Sequence, residues 1–170
     1  MRLKFFTLLA AVALLTACES SPDESAATTS AGTAASSGSG SGTSTAVLPG
    51  LDPRSQEWLV VNVGDRVFFD FDKSDLTPEA QETIEKVAAW LKTYPDVTLT
   101  VEGHCDERGT REYNLALGER RANSVTSYMV ALGIDANRVS NLSYGKERPA
   151  VLGSNEAAWA QNRRGVFIVN

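Results

Sequence analysis

Hydrophobic and polar residues alternate along several short segments of the second half of the chain, and this alternation predicts strands. Residues 97–103, VTLTVEG, alternate strictly, which is typical of a strand with one buried face. Residues 66–71, RVFFDF, are rich in β-branched and aromatic side chains and predict an earlier strand. Two further strands are predicted over residues 139–144 and in the terminal GVFIV run. That last run is apolar on both faces, so we expect it to be internal in a sheet.

Apolar residues recur at helical spacing between these strands. Thr77 followed by Pro78 is a typical helix start, because threonine caps the first free N–H groups and proline fits the first turn. A longer helix is predicted from about residue 111 to 132, with Gly133 as its C-cap. A short helix is predicted over residues 155–162, NEAAWAQN.

The order of these elements predicts the fold class. The order βαβαβ(α)β indicates an α+β sandwich, with a mixed sheet of about four strands and helices packed on one face. Right-handed crossovers would make the first strand pairings parallel. The segment before the first strand, residues 51–65, is ambiguous between a short helix and an edge strand.

The start of the chain has the pattern of a secretory signal. Arg2 and Lys4 precede an apolar run, FFTLLAAVALL, that is shorter than the roughly 20 residues needed to cross a bilayer. The tetrapeptide LTAC, ending at Cys18, resembles the lipobox of bacterial lipoproteins, which implies cleavage after residue 17 and lipidation of Cys18. An ordinary signal peptide is the alternative. The residue after Cys18 is Glu19, whereas an aspartate at this position favours retention in the inner membrane in well-studied lipoproteins. The absence of that aspartate favours the outer membrane.

The next segment predicts a tether. From residue 19 to residue 50, 25 of 32 residues are Ser, Thr, Gly or Ala, which leaves too little apolar surface to offset the entropy of ordering. A flexible chain of this length spans about 30 Å on average. We therefore predict three parts: a signal peptide over residues 1–17, a lipidated linker over residues 18–50 and one folded domain over residues 51–170.

The charge of the chain excludes one class of partner. The formal net charge is −5 at pH 7, and it becomes −7 when Arg2 and Lys4 are removed with the signal peptide. Binding to nucleic acid normally needs a basic patch or stripe. We therefore expect no nucleic-acid partner and no adsorption of the domain to anionic lipid.

The stretch GHCDERGT, residues 103–110, contains the residue types of catalytic and metal sites. His104 and Cys105 are neighbours on an extending strand, so their side chains point apart, which argues against a nucleophile pair. Zinc needs three or four ligands, whereas the sequence has one histidine and only Cys18 as a second cysteine. We expect no metal and no cofactor, and we interpret Cys105 as a small buried side chain facing the core.

Asp106 and Arg121 are the more informative residues of this region. Arg121 lies on the apolar stripe of the long helix, and a guanidinium is rarely buried unless it is paired. Asp106 lies in the loop that leads into the same helix. Two interpretations remain open: an internal salt bridge, or a polar cleft with one negative and one positive wall. Such a cleft would fit a zwitterion, with its carboxylate forked on Arg121 and its ammonium on Asp106.

Three segments, FDFDKSDL, VEGHCDERGTREYNLALGERRANSV and NRRGVFIV, resemble the family of peptidoglycan-associated lipoproteins that carry an OmpA-type C-terminal domain. The resemblance implies an OmpA-like fold and a site for the diaminopimelate of the peptidoglycan stem peptide. It implies that Asp106 and Arg121 are the principal contacts, that Asp72 is a further contact and that Asn114 and Leu117 line the pocket. The family's motif is met by Asn114, Leu117, Gly118, Arg121, Ala122 and Val125.

The same resemblance implies partners and a location. It implies an outer-membrane lipoprotein with its domain in the periplasm, membership of the Tol–Pal system and binding to a TolB-like propeller protein. Cys105 departs from the Thr or Ala of many family members. A cell-wall hydrolase and a purely protein-binding scaffold are the alternatives. The hydrolase is disfavoured because Asp106 beside Arg121 should stay ionised, which makes it a poor general acid.

Overall fold

The computed structural model describes residues 50–170, so the predicted signal peptide, Cys18 and almost all of the linker lie outside the described residues. Within residues 50–170 the elements are, in chain order, α1 Gln56–Asn62, β1 Arg66–Phe68, α2 Pro78–Thr93, β2 Leu99–His104, α3 Arg111–Ala131, a 3₁₀ turn Ala136–Arg138, β3 Val139–Gly145, α4 Glu156–Asn162 and β4 Arg164–Val169. None of the helices in this part of the chain has the length and hydropathy of a membrane span.

The four strands form one mixed sheet in the order β1-β4-β2-β3. Strands β2 and β3 are parallel, and β4 is antiparallel to both of its neighbours, β1 and β2. The α+β fold class and the internal position of the last strand are therefore confirmed. The prediction that the first pairings are all parallel is wrong for β1 and β2, because β4 lies between them. An apolar strand gains most by burial on both sides, which the central position provides.

Local signals account for the ends of several elements. Thr77 caps α2 by accepting a hydrogen bond from the backbone N–H of Ala80, as predicted. Gly133 follows α3 with a φ of +91°, which suits its predicted place at the helix end. The ambiguous segment before β1 is helical, and Ser55 caps it. Strand β1 is shorter than predicted and ends at Phe68, because the chain then turns within residues 70–73.

Helices α2 and α3 pack on one face of the sheet and enclose the core. The alternation predicted for β2 is confirmed, since Val97, Leu99 and Val101 are all buried. The other members of the core come mainly from the two helices and β4, and include Ile84, Val87, Leu91, Ala122, Val125, Met129 and Phe167. Fully burying a side chain of this size stabilises the fold by about 2 kcal/mol.

Two glycines allow α3 to lie directly against the end of β2. A Cβ atom on Gly103 would overlap the carbonyl oxygen of Gly118, and a Cβ atom on Gly118 would overlap the hydroxyl of Ser143. This close approach places the first turns of α3 beside the loop that follows β2. The loop contains Asp106, so the packing of these two elements determines where the predicted site residues meet.

Candidate ligand-binding site

A pocket of about 160 Å³ lies where β2 ends, between the turn after β1, the loop of residues 104–110 and the first turns of α3. Its lining comprises Phe71, Asp72, Cys105, Asp106, Arg108, Gly109, Tyr113, Asn114, Leu117 and Arg121. The structure thus brings together all five residues that the sequence suggested for binding, although they are spread over 50 positions of the chain. Their role in binding a ligand remains a prediction.

Arg121 forms the buried wall of this pocket. Its side chain is fully buried, and it donates hydrogen bonds to the carbonyl oxygens of His104 at 2.7 Å, Lys73 at 2.8 Å and Asp70 at 3.1 Å. A further contact of 3.3 Å joins its Nη1 to the sulfur of Cys105. Burial lowers the pKa of Arg121 from its usual value. The guanidinium therefore joins the turn after β1 to the end of β2.

The internal salt bridge between Asp106 and Arg121 is not formed, so that interpretation is wrong. Within the described part of the chain, Asp106 instead pairs with Arg108, whose Nη2 lies 2.6 Å from Oδ2, and with Arg163, whose Nη1 lies 3.5 Å from the same oxygen. The physical reason is that Arg121 directs its hydrogen bonds to three backbone carbonyls, whereas Arg108 lies only two residues from Asp106 and reaches its carboxylate. The second interpretation, a cleft lined by both charges, agrees with the geometry.

Asp106 remains a charged group in this environment. Burial tends to raise the pKa of its carboxyl, but the hydrogen bonds from the side chain and backbone of Arg108 outweigh burial, and the net pKa lies below its usual value. The backbone N–H and the Nε of Arg108 both donate to Oδ1, at 3.1 and 3.2 Å. The carboxylate is therefore ionised near neutral pH, with a fixed orientation.

Asp72 lies at the mouth of the pocket in an unusual backbone conformation. Its φ is +57°, and it is the only non-glycine residue with a positive φ among residues 50–170. The hydroxyl of Tyr113 donates a hydrogen bond to its carboxylate, and that bond raises the pKa of the tyrosine. Strained conformations of this kind cluster at functional sites. Asp72 lies within the turn of residues 70–73, beyond the end of β1 at Phe68.

Asn114, Leu117 and Arg121 line the pocket because their spacing of three and four residues places them on one face of α3. Asn114 is buried and donates from Nδ2 to the carbonyl oxygen of Arg108 at 2.8 Å. Leu117 is buried as well and supplies an apolar wall. Asn114 therefore fixes the loop that contains Asp106.

His104 and Cys105 lie on opposite faces, as predicted. Cys105 is buried, but it lines the pocket as well as facing the helices, which the expectation of a purely core position missed. Burial raises the pKa of its thiol.

His104 stacks on Tyr144 with ring centres 5.6 Å apart, and its ring nitrogens find no hydrogen-bond partner within residues 50–170. The pKa of His104 is lowered to about 4, mainly by burial and to a smaller extent by the positive charges of Arg164 and Arg148.

Sequence reasoning missed several lining residues, notably Phe71, Arg108 and Tyr113. A signal existed for Arg108, because an arginine two residues after a loop aspartate can close a local ion pair. Tyr113 directly precedes Asn114 in the first turn of α3, but nothing in the sequence shows that its hydroxyl reaches Asp72. Its position depends on the fold of the turn after β1.

Comparison with known proteins agrees with this picture. The OmpA family model matches residues 68–163, which include every residue that lines the pocket. A peptidoglycan-associated lipoprotein of Brucella melitensis is 49% identical over 118 residues, covering 69% of this chain and 70% of that protein. A peptidoglycan-associated lipoprotein of Rhizobium meliloti is 50% identical over 117 residues, covering 69% of this chain and 66% of that protein.

Solved structures show the same fold. The crystal structure of the peptidoglycan-associated lipoprotein from Burkholderia pseudomallei is 40% identical, with a TM-score of 0.61, and the match covers 62% of this chain and 90% of that one. The C-terminal domain of Helicobacter pylori MotB, at 21% identity and a TM-score of 0.59, shares the fold alone; that match covers 62% of this chain and 84% of that one. None of these proteins is named as an enzyme, which agrees with the expectation of a non-catalytic protein. The resemblance of the three sequence segments is thus confirmed, and the chain belongs to the OmpA family.

Proposed function

We propose that the protein is a lipoprotein of the cell envelope that binds peptidoglycan, and that its pocket takes the diaminopimelate side chain of the stem peptide. The observation that carries this proposal is the convergence of Asp72, Asp106, Asn114, Leu117 and Arg121 on one small pocket in a chain of the OmpA family. The names of the relatives support the peptidoglycan part of the proposal.

The charges of the pocket suit this ligand. The far end of diaminopimelate has an ammonium and a carboxylate, so that end group is neutral overall. The lining contains two carboxylates, Asp72 and Asp106, and two guanidinium groups, Arg108 and Arg121, which also sum to zero. A neutral but strongly polar pocket favours a zwitterion over an ion of either sign, since each ligand charge meets an opposite one.

The proposed roles follow from which atoms remain free. The ligand ammonium would lie against Asp106 and Asp72. The ligand carboxylate would lie against Arg121, whose bonds to three carbonyls and one sulfur leave a single N–H of Nη2 without an acceptor among residues 50–170. We therefore propose one hydrogen bond and charge attraction from Arg121, in place of the bidentate fork that the sequence suggested.

The rest of the chain would connect this pocket to the membrane. We propose that residues 1–17 are removed, that Cys18 receives the lipid anchor and that residues 18–50 form a tether between the outer membrane and the domain of residues 51–170. The protein would then hold the outer membrane to the wall as part of the Tol–Pal system, with a TolB-like propeller protein as a second partner.

The proposal is tested by isothermal titration of the mature chain, made soluble by Cys18→Ser, with a stem peptide that contains diaminopimelate. We expect Asp106→Asn to weaken binding about tenfold or more, because it removes a charged hydrogen-bond acceptor. Asp75→Asn is the matched control, since Asp75 is exposed nearby and does not line the pocket. A peptide with lysine in place of diaminopimelate should bind less tightly, because it lacks the distal carboxylate.

Two outcomes would contradict the proposal. The wild-type chain could fail to bind the diaminopimelate peptide, or it could bind the lysine peptide equally well. Incubation with intact peptidoglycan distinguishes the alternatives: a binding lipoprotein is pulled down with the wall and releases no fragments. Sustained release of muropeptides would favour a hydrolase, and a lack of pull-down would favour a protein-binding scaffold.

A further inference from the structure

Helix α4 lies behind the pocket loop and contacts the charged residues of the pocket. No α4 residue is among the residues that line the pocket in the described part of the chain. The guanidinium carbon of Arg108 nevertheless lies 4.1 Å from the ring centre of Trp159, and 4.0 Å from that of Phe71. The indole Nε1 of Trp159 also donates to Glu107 at 3.1 Å. Arg108 is therefore held between the pocket and this helix.

The ion pairs around Arg108 form a closed ring of alternating charge. Asp106 contacts Arg108 at 2.6 Å, and Arg108 contacts Glu156 of α4 at 3.9 Å. Glu156 contacts Arg163 at 2.7 Å, and Arg163 returns to Asp106 at 3.5 Å. Two carboxylates and two guanidinium groups make the ring neutral. Three of the side chains are mainly buried, whereas Glu156 is 64% exposed.

This ring affects what Asp106 can offer a ligand. Two cations already lie against its carboxylate, so an incoming ammonium meets positive charge as well as negative. Glu156 attracts both cations from the far side and offsets part of that positive field. Arg163 has a second constraint, because its Nε donates to the carbonyl oxygen of Phe69 at 3.0 Å. Without Glu156, the surroundings of Asp106 gain one unit of positive charge.

We infer that Glu156, Trp159 and Arg163 are positioning residues for ligand recognition, which hold Arg108 against Asp106 and balance the charge around that carboxylate. The inference rests on the proposed function, because it assumes a ligand whose ammonium meets Asp106. It goes beyond the pocket lining, since Glu156 and Trp159 act only through Arg108 and Arg163. A helix that merely supported the fold would alter stability without discriminating between the charges of ligands.

The charge of the ligand provides the test. The mature chain with Cys18→Ser is titrated by NMR with two probes: the diaminopimelate stem peptide and its 2-aminopimelate analogue, which keeps the distal carboxylate and lacks the distal ammonium. Glu156→Gln should weaken binding of the diaminopimelate peptide about fivefold. It should leave binding of the analogue unchanged or slightly tighter, because added positive charge does not repel a carboxylate. Glu147→Gln is the control, as its carboxylate pairs with Arg111 outside the pocket lining.

A second pair of variants tests the aromatic contact. Trp159→Phe keeps a ring for Arg108 and should bind nearly as tightly as wild type, whereas Trp159→Leu should bind the diaminopimelate peptide about fivefold less tightly. Thermal melts of each variant confirm folding. Equal weakening of both probes by Glu156→Gln, or no weakening of either, would overturn the inference while leaving the proposed function intact. Failure of the wild type to bind the diaminopimelate peptide would overturn the proposed function itself.

Discussion

Arg121 shows how a single guanidinium can be buried without a carboxylate directly against it. Three backbone carbonyls, from Asp70, Lys73 and His104, accept its hydrogen bonds and offset part of the cost of removing the charge from water. These carbonyls belong to two separate segments, the turn after β1 and the end of β2, and the guanidinium links them directly. Arg121, which the sequence suggested as a ligand contact, therefore also holds the walls of the pocket together.

The first prediction concerns this structural role. Arg121→Lys keeps the charge, but an ammonium cannot reach carbonyls arranged around a planar fork, so at least one is left without a donor. We expect the free energy of unfolding to fall by about 2 to 3 kcal/mol in urea denaturation. Arg120→Lys, at the exposed neighbouring position, should change it little. Equal stability of the two variants would contradict this account.

His104 provides a second prediction, on the pH dependence of stability. Its pKa is about 4 in the folded chain and about 6.5 when unfolded, so the unfolded chain binds an extra proton between these values. Stability from this residue is complete above pH 6.5 and is lost as the pH falls to 4, by up to about 3 kcal/mol. The carboxylate of Glu102 lies 3.4 Å from Nε2, but burial and two arginines oppose protonation.

His104→Phe keeps a ring against Tyr144 and removes the titrating group. We expect the variant to lose less stability than wild type between pH 7 and pH 4.5, measured by chemical denaturation across that range. The carboxyl groups are the same in both proteins, so the difference between the two profiles isolates His104. Parallel profiles would show that the histidine does not titrate in this range.

At the scale of elements, the contact between α3 and β2 sets the pocket geometry. Gly103 and Gly118 face each other with no room for a side chain. This contact brings the face of α3 that contains Asn114, Leu117 and Arg121 against the loop after β2. Gly145 at the end of β3 allows a similar approach, since a Cβ atom there would lie about 3 Å from the backbone of Asn114 and Leu115.

The third prediction follows from that contact. Gly103→Ala should lower the free energy of unfolding by about 3 kcal/mol, because its Cβ would overlap a backbone carbonyl that cannot rotate away. Gly133→Ala is a useful comparison, since no atom lies within 4 Å of its added Cβ and only its positive φ is strained. That variant should lose about 1 kcal/mol. Similar losses of unfolding free energy in the two variants would show that the close contact between Gly103 and Gly118 contributes little to stability.

Elements with strong local signals could be predicted from the sequence, and contacts between distant segments could not. The capping Thr77, the alternation of residues 97–101 and the stripe of α3 all depend on neighbours within a few positions. The insertion of β4 between β1 and β2 depends on a pairing across the whole domain. The sequence left open whether Asp106 pairs with Arg121 for a similar reason, because residue types do not show which backbone carbonyls accept the hydrogen bonds of Arg121.

At the scale of the whole molecule, the proposed function joins two binding events through one chain. The lipid at Cys18 would act at the membrane and the pocket at the wall. The described domain has no helix able to span a membrane. In the proposed function, attachment to the membrane depends on the lipid at Cys18, and stable attachment takes more than one acyl chain.

The fourth prediction tests that dependence. Cys18→Ala should prevent lipidation, so that the protein appears in the soluble periplasmic fraction or as an uncleaved precursor. Cell fractionation followed by a salt wash measures this directly, and Glu19→Gln serves as the control because it leaves the cysteine in place. Continued association of Cys18→Ala with washed outer membranes would contradict lipid anchoring.

The positions of the first described residues and of the pocket have a mechanical consequence. Gln56 bonds to the backbone of Phe167 and Val169, and Arg54 bonds to Asp96, just before β2 begins. The chain thus enters the domain at the end of β2 opposite the pocket, about 20 Å away along the strand. A pull between tether and ligand would run lengthwise along β2 and β4. The ladder between them would be loaded in shear, so that its hydrogen bonds share the force instead of opening one at a time.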